Sequence, residues 1–380
     1  MNRRRFLGIA AATVPSGGCV VGYAGDEPPE GPRDGDTSED DTGGEDPPQT
    51  IPGVELPVPR EDLRTQVGRD FIPAITEPAF ADDWSGLDPD DVEDPTLPDE
   101  TAVIGIERDG DARAYPLRVL DWHEIVNDEF GGPIAVTYCV LCGSSVVVER
   151  RVDGEPTVFG VSGRLWRDDL VMYDAATESL WSQIFATAIR GPRTGERLGV
   201  VRSTLSSWGE WRRSHPGTDV LLPPPDSETI TGRHRDSAYF ESKYSYESES
   251  QIIGFDGEGL EPRTLVVGVS NGSETRAYPF GVVSERGVVT DSVGGLPVVV
   301  TVTPDGTLVA YERRLDGTER SVAAAGERYI EIDGSRFERS SGRAIDGPRE
   351  GERLERANDD PPMFWRGWSN FNPNTTVYGE

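Results

Sequence analysis

Two cysteines set as Cys139-x-x-Cys142-Gly143 in the run "VTYCVLCGSSVVVER", with His123 sixteen residues upstream in "LDWHEIVND", are the residues of this chain best equipped for chemistry. Thiolates and imidazole can bind a metal, exchange disulfides or close a staple. Cys-x-x-Cys-Gly between two strands is the sequence of a metal-binding knuckle, in which the glycine relaxes the backbone around the sulfurs. A closed structural zinc site asks for two such pairs, whereas the whole chain has 3 Cys and 3 His. That leaves two sulfurs and one or two other ligands. His123 is the expected third, and Met172 in "RDDLVMYDAATESLWSQ", one of 3 Met, is an outside candidate for a fourth. Thiolates with imidazole and a thioether are soft donors, which favour copper and admit zinc.

Two other uses of the pair stay open. A thiol-disulfide oxidoreductase would have Cys139 or Cys142 attack and the other resolve. It would place the first cysteine at a helix N-terminus, where the dipole lowers the thiol pKa, but "VVVER" reads as a strand, so this role would need some other fold. A local disulfide in a non-catalytic surface module is the third use. So small a ring removes little denatured-state entropy and tends to be strained.

The elements that must hold these residues come in duplicate. "VIGIERDGDARAYPLRVLDWHEIVNDEFGG" is followed much later by "VVGVSNGSETRAYPFGVVSERGVVTDSVGG", and "WGEWRRSHPGTDV" by "WRGWSNFNPNTTV". Where the first copy has His123, Cys139 and Cys142, the second has Arg286, Thr303 and a turn at Asp305-Gly306. The frame therefore does not need those side chains, which marks them for chemistry. His215 lies opposite Asn372 before a proline and reads as a turn former. Both copies consist of short apolar or alternating runs cut by Asp-Gly, Gly-Gly and Asn-Gly pairs. The expected fold is mainly β: two similar duplicated β-rich domains with few short helices. Repeat 1 with the Cys/His site spans 100–222 and repeat 2 without it 263–380, joined by a polar segment 223–262 and preceded by a lead-in 61–99. Pro116 to Val126 reads as a helix, while its counterpart "PFGVVSERGVV" reads as extended.

Upstream, "MNRRRFLGIAAATVPSGGCVVGYAG" reads as a twin-arginine export signal, residues 1–24, with a lipobox that makes Cys19 a lipid anchor. Residues 25–60 read as a disordered acidic stalk, poor in apolar side chains. With 37 basic against 68 acidic residues the net charge is −31, and Lys243 is the single lysine. That balance excludes nucleic acid as a partner and is the habit of proteins that fold in molar salt. The expected setting is the extracellular face of the membrane, with the membrane itself and another envelope redox or metal protein as partners.

"AYPLRVLDWHEIVND", "PIAVTYCVLCGSSVVVER", "FGVSGRLWRDDLVMYD" and "ESLWSQ" together resemble an exported family known as domain of unknown function 3179. The resemblance covers essentially 100–380. It implies an envelope protein found in bacteria and archaea, here a salt-adapted archaeal-type lipoprotein, and brings no activity with it. Its motifs fall on His123, Cys139, Cys142, Met172, Asp174, Trp181 and Gln183.

Overall fold

Valine- and isoleucine-rich runs of five to eight residues favour strands, and the pairs between them fix how those strands turn. Asp109-Gly110 (φ +55° and +91°), Asp153-Gly154 (+54° and +78°) and Gly294-Gly295 (+54° and +81°) supply the two positive φ angles that a tight two-residue hairpin demands. The computed structural model describes residues 51, 53–87, 96–234, 238–240, 259–358 and 361–380. The signal with Cys19, most of the stalk and much of the joining segment lie outside them. Ile51 and Val58, at the end of the stretch assigned to the stalk, are buried against the first repeat.

From residue 102 onward, the first repeat contains β1 (Ala102–Arg108), β2 (Asp111–Pro116), α1 (Leu117–His123), β3 (Ile125–Glu129), β4 (Pro133–Cys139), β5 (Ser144–Glu149), β6 (Phe159–Trp166), β7 (Asp169–Asp174), β8 (Leu180–Ser182), β9 (Thr187–Arg190), β10 (Thr204–Ser207), α2 (Trp208–Ser214) and β11 (Asp219–Leu221). The second contains β12 (Leu265–Asn271), β13 (Glu274–Pro279), α3 (Phe280–Arg286), β14 (Val288–Val293), β15 (Leu296–Val302), β16 (Leu308–Glu312), β17 (Ala323–Ala324), β18 (Tyr329–Ile332), β19 (Ser335–Glu338), β20 (Met363–Phe364), α4 (Trp365–Phe371) and β21 (Thr376–Val377).

These strands form the six blades of a β-propeller. The first repeat supplies β10-β1-β2-β11, β3-β4-β5 and β6-β7-β8-β9, and the second supplies β20-β12-β13-β21, β14-β15-β16 and β17-β18-β19. The lead-in adds a strand to each of the first three blades: Phe80–Ala81 beside β11, Ile75–Glu77 beside β3, itself flanked by Glu228–Thr229 of the joining segment, and Arg64–Thr65 beside β6.

The expectation of two duplicated domains is corrected here. Three short sheets per repeat expose too much apolar surface to stand alone, and the repeats share a core. One buried cluster contains Cys139, Cys142, Val171 and Trp181 from the first repeat together with Val266, Met363, Trp365 and Phe371 from the second. The segment expected to be extended is also a helix. α3 begins after Pro279, turns Val283 inward and stops at Gly287 with φ +72°, the left-handed conformation that ends helices.

Each repeat locks its terminal helix to its first strand by the same device. Trp211 of α2 lies flat on Gly105 of β1, where a Cβ would stand 2.3 Å from the indole, and Trp368 of α4 lies on Gly268 of β12, where it would stand 2.2 Å away. Gly105→Ala and Gly268→Ala are each expected to destabilise the protein by about 1–3 kcal/mol through overpacking. Urea midpoints compared with Gly110→Ala, a strained position in open space, would separate the packing effect from backbone strain.

Candidate metal centre

Cys139 ends β4 opposite Ser144, the first residue of β5, and Cys142 sits in the turn between them. A purely apolar hairpin end would be easy to bury. A turn is not, because its backbone groups must find partners. The second repeat provides one: Phe364 N–H donates to Cys142 O at 2.8 Å, and its ring occupies the space where a side chain on Gly143 would be. Both cysteines are buried and unbridged.

Their thiols point at one oxygen. Cys142 Sγ lies 3.3 Å and Cys139 Sγ 3.7 Å from the carbonyl O of Asp168. Asp168 belongs to a two-residue turn, Arg167-Asp168, joining β6 to β7 with φ +52° and +67°. Neither residue is glycine, so the turn stores strain on the order of 1 kcal/mol per residue. It is held from outside by Arg64 at 2.7 Å and Arg366 of α4 at 2.8 Å, one on each oxygen of the Asp168 carboxylate.

The next residue, Asp169, completes the group. Its carboxylate and the two sulfurs offer atoms that all lie within 4.8 Å of one another. Ser182 Oγ donates to Asp169 Oδ2 at 2.9 Å and the Ile184 amide at 3.1 Å, while Oδ1 is buried without a hydrogen-bond partner. Burial pushes the Asp169 carboxyl up to about 7, against the pull of those donors. The Cys142 thiol is also pushed well up, first by its hydrogen bond with Cys139 and then by burial. Gln183 fixes the cysteine hairpin from below, donating to Thr137 Oγ1 at 3.0 Å and Ser144 O at 3.2 Å and accepting from Ser144 Oγ at 2.8 Å.

Of the residues predicted to form the site, Cys139 and Cys142 come together. His123 does not join them. Its Nδ1 meets Pro73 O at 2.6 Å and its Nε2 the Tyr239 hydroxyl at 2.7 Å, so both ring nitrogens are engaged with the lead-in and joining segments. Met172 is fully buried three residues along β7 from Asp169, and alternation sends the two side chains to opposite faces of the strand. Asp174 and Trp181 tie a neighbouring turn, with Trp181 Nε1 donating to Asp174 Oδ2 at 2.9 Å. Asp169 is the member of this group that sequence reasoning missed. The non-glycine turn before it was the available signal, since an Arg-Asp pair between two strand-like runs must take up two unfavourable φ angles.

The sequence profile of the family described as "Protein of unknown function (DUF3179)" matches residues 69–375. The chain belongs to that family. The match takes in the cysteine hairpin, Asp169 and α4, and so spans both repeats. No curated protein and no solved structure matches the chain at a significant level.

Asp169 sets a pH dependence for the metal-free protein. Its folded pKa of about 7 lies above the usual carboxylate value of 3.8, so its contribution to stability is complete below about pH 4 and is lost as pH rises to 7. Metal-free Asp169→Asn should match the parent near pH 4 and exceed its stability by about 2–4 kcal/mol at pH 8. Urea midpoints across that range would show it. An unchanged slope in the variant would assign the dependence elsewhere.

Proposed function

We propose that this protein binds one soft or borderline metal ion at Cys139, Cys142 and Asp169. The observation that carries the reading is the buried Asp169 Oδ1 without a partner beside two converging thiols. An orphaned carboxylate oxygen in a dry core costs several kcal/mol unless a proton or a cation meets it. The three ligand atoms all lie within 4.8 Å of one another, a span close to twice a zinc–sulfur bond of about 2.3 Å, so one ion can reach all three. A carboxylate in place of imidazole and thioether moves the preference from copper(I) towards zinc. Two thiolates, a carboxylate and a divalent ion carry one net negative charge, and the charge of Arg366, which is paired with Asp168, works against the rise of the Cys142 thiol. Zinc at such a site serves carriage or stabilisation; copper there would serve electron transfer.

One observation favours a second reading. A buried carboxyl with a pKa near neutrality next to a dithiol is suited to take a proton as a thiol becomes a thiolate, which would make Asp169 the base of a redox pair. Against it stand the burial of both sulfurs and the raised Cys142 pKa, which slow attack on any external disulfide.

We also propose that the chain is exported by the twin-arginine route and anchored outside the membrane through Cys19, with the acidic surface adapted to high salt. The signal and lipobox residues support this, and Cys19→Ser should move the protein from the membrane fraction to the soluble fraction.

Metal content and free-thiol titration on protein purified in high salt test the main reading. One zinc or copper per chain is expected, lost in Cys139→Ser, Cys142→Ser and Asp169→Asn and retained in His123→Gln. Absence of metal from reduced protein supplied with zinc and copper(I), with disulfide turnover that depends on both cysteines, would replace the metal reading with the redox one.

A further inference from the structure

The two repeats differ at a second place, away from the cysteines. Matching ladders fix which residues correspond. Thr187 bridges Arg197 as Arg343 bridges Arg353, Leu198 N bonds Ala186 O as Leu354 N bonds Gly342 O, and α2 corresponds to α4. In that register Phe371 takes the place of Ser214, Phe185 that of Ser341, Val200 that of Arg356 and Asn372 that of His215.

Where the third and fourth blades meet, these positions make a plug. The Phe185 and Phe371 rings lie 4.9 Å apart, with Trp166 5.5 Å from Phe371, all edge to face. Where the first and sixth blades meet, the small polar replacements leave a cavity of about 40 Å³ lined by Ser214, Ser341 and three arginines, Arg202, Arg353 and Arg356. The frame can evidently close this seam with aromatics, and here it does not.

The charge inside is unbalanced. Arg353 gives Nη2 to Glu107 Oε2 at 2.8 Å, and His215 Nε2 lies 3.4 Å from the same oxygen. Glu210 also lines the cavity, but it accepts from Thr303 and Thr307 at 2.7 and 2.6 Å, and Glu338, behind the lining serines, accepts from Ser214 Oγ at 3.2 Å and Ser341 Oγ at 2.7 Å. Among the described residues no carboxylate pairs with Arg202 or Arg356. Arg356 donates to Thr204 Oγ1 at 2.9 Å and to Ser340 O at 3.4 Å and lies over the Tyr311 ring, while its Nε is buried without a partner, and Arg202 reaches Leu354 O at 3.4 Å. Burial and neighbouring guanidinium groups draw both arginines below their ordinary pKa. In a chain with 68 acidic residues, two arginines left unneutralised against a cavity call for an anion from outside.

We propose that this seam cavity binds a small oxyanion, phosphate or a carboxylate, through Arg202 and Arg356 with the Thr204 hydroxyl adding a hydrogen bond. Guanidinium groups match such ions in charge and in planar donor geometry. The volume admits one such group, either as a free ion or as the head of a larger ligand that leaves by the open side at Arg202. The site is independent of the metal centre.

Calorimetric titration of inorganic phosphate into the full chain at constant high potassium chloride tests it, with acetate and sulfate as further probes. Saturable binding of one phosphate or acetate per chain is expected, weakened at least tenfold in Arg356→Val, which installs the residue of the other repeat, and in Arg202→Gln at the open side. Metal content should be unchanged in both. Binding that neither variant weakens overturns the proposal, as does failure of all three ions to bind above the chloride background. Should Arg356→Val not fold, Arg202→Gln decides.

Discussion

Each repeat leaves the turn of its middle blade to be covered by the terminal helix of the other. α4 crosses from the second repeat onto the cysteine turn, with Phe364 N on Cys142 O, Arg366 on Asp168, and Gly367 so close that a Cβ there would stand 3.0 Å from Cys142 Cβ. α2 crosses the other way onto the turn after β15, where Glu210 accepts from Thr303 and Thr307. A buried turn is tolerable only when something satisfies its polar groups. The exchange therefore explains why two repeats make one ring of blades: a single repeat would leave its middle turn bare and its terminal helix without a surface to lie on.

The exchange also sets the chemistry at each turn. Both turns bury a carboxylate. At the second it is Glu210, whose raised pKa is countered by two hydroxyl donors, Thr307 and Thr303. At the first, Gly367 stands where Glu210 does and makes room for Cys142, so the carboxylate comes instead from Asp169 on the adjacent blade. Hydroxyls close the second turn because they are good donors. Thiols are weak ones, so the first turn has a carboxylate only half satisfied, and that imbalance makes it suited to an ion.

Reading along the chain reveals the duplication, the β content and the separateness of the cysteines, because all three are local or periodic signals. Blade number is not local. Runs such as Ile134 to Tyr138 announce a strand without announcing its neighbours, and the shared core depends on contacts between residues more than two hundred positions apart. Asp169 was hidden for a different reason: it is one of 68 acidic residues, and only the β6–β7 turn carries it to sulfurs about thirty residues upstream. His123 misled by a coincidence with a physical origin. It vanishes from the second repeat together with the cysteines, yet its partners are Pro73 and Tyr239, from the lead-in and joining segments outside the duplicated frame.

The state of the second turn bears on how the repeats diverged. A site that had decayed from a cysteine centre would be expected to leave buried donors or acceptors without partners, since each lost ligand strands another. The turn at 303–307 shows the reverse. Thr303 Oγ1 donates to Glu210 and accepts from Thr307 N, and Thr307 Oγ1 reaches both Glu210 and Ser206. This is a closed polar network, able to hold the crossing helix by itself. The seams follow the same logic, with aromatics sealing one and arginines opening the other. A duplicated frame with a fixed backbone lets each half specialise where the other provides stability, so the cysteine turn and the polar seam cavity each have a sealed twin across the ring.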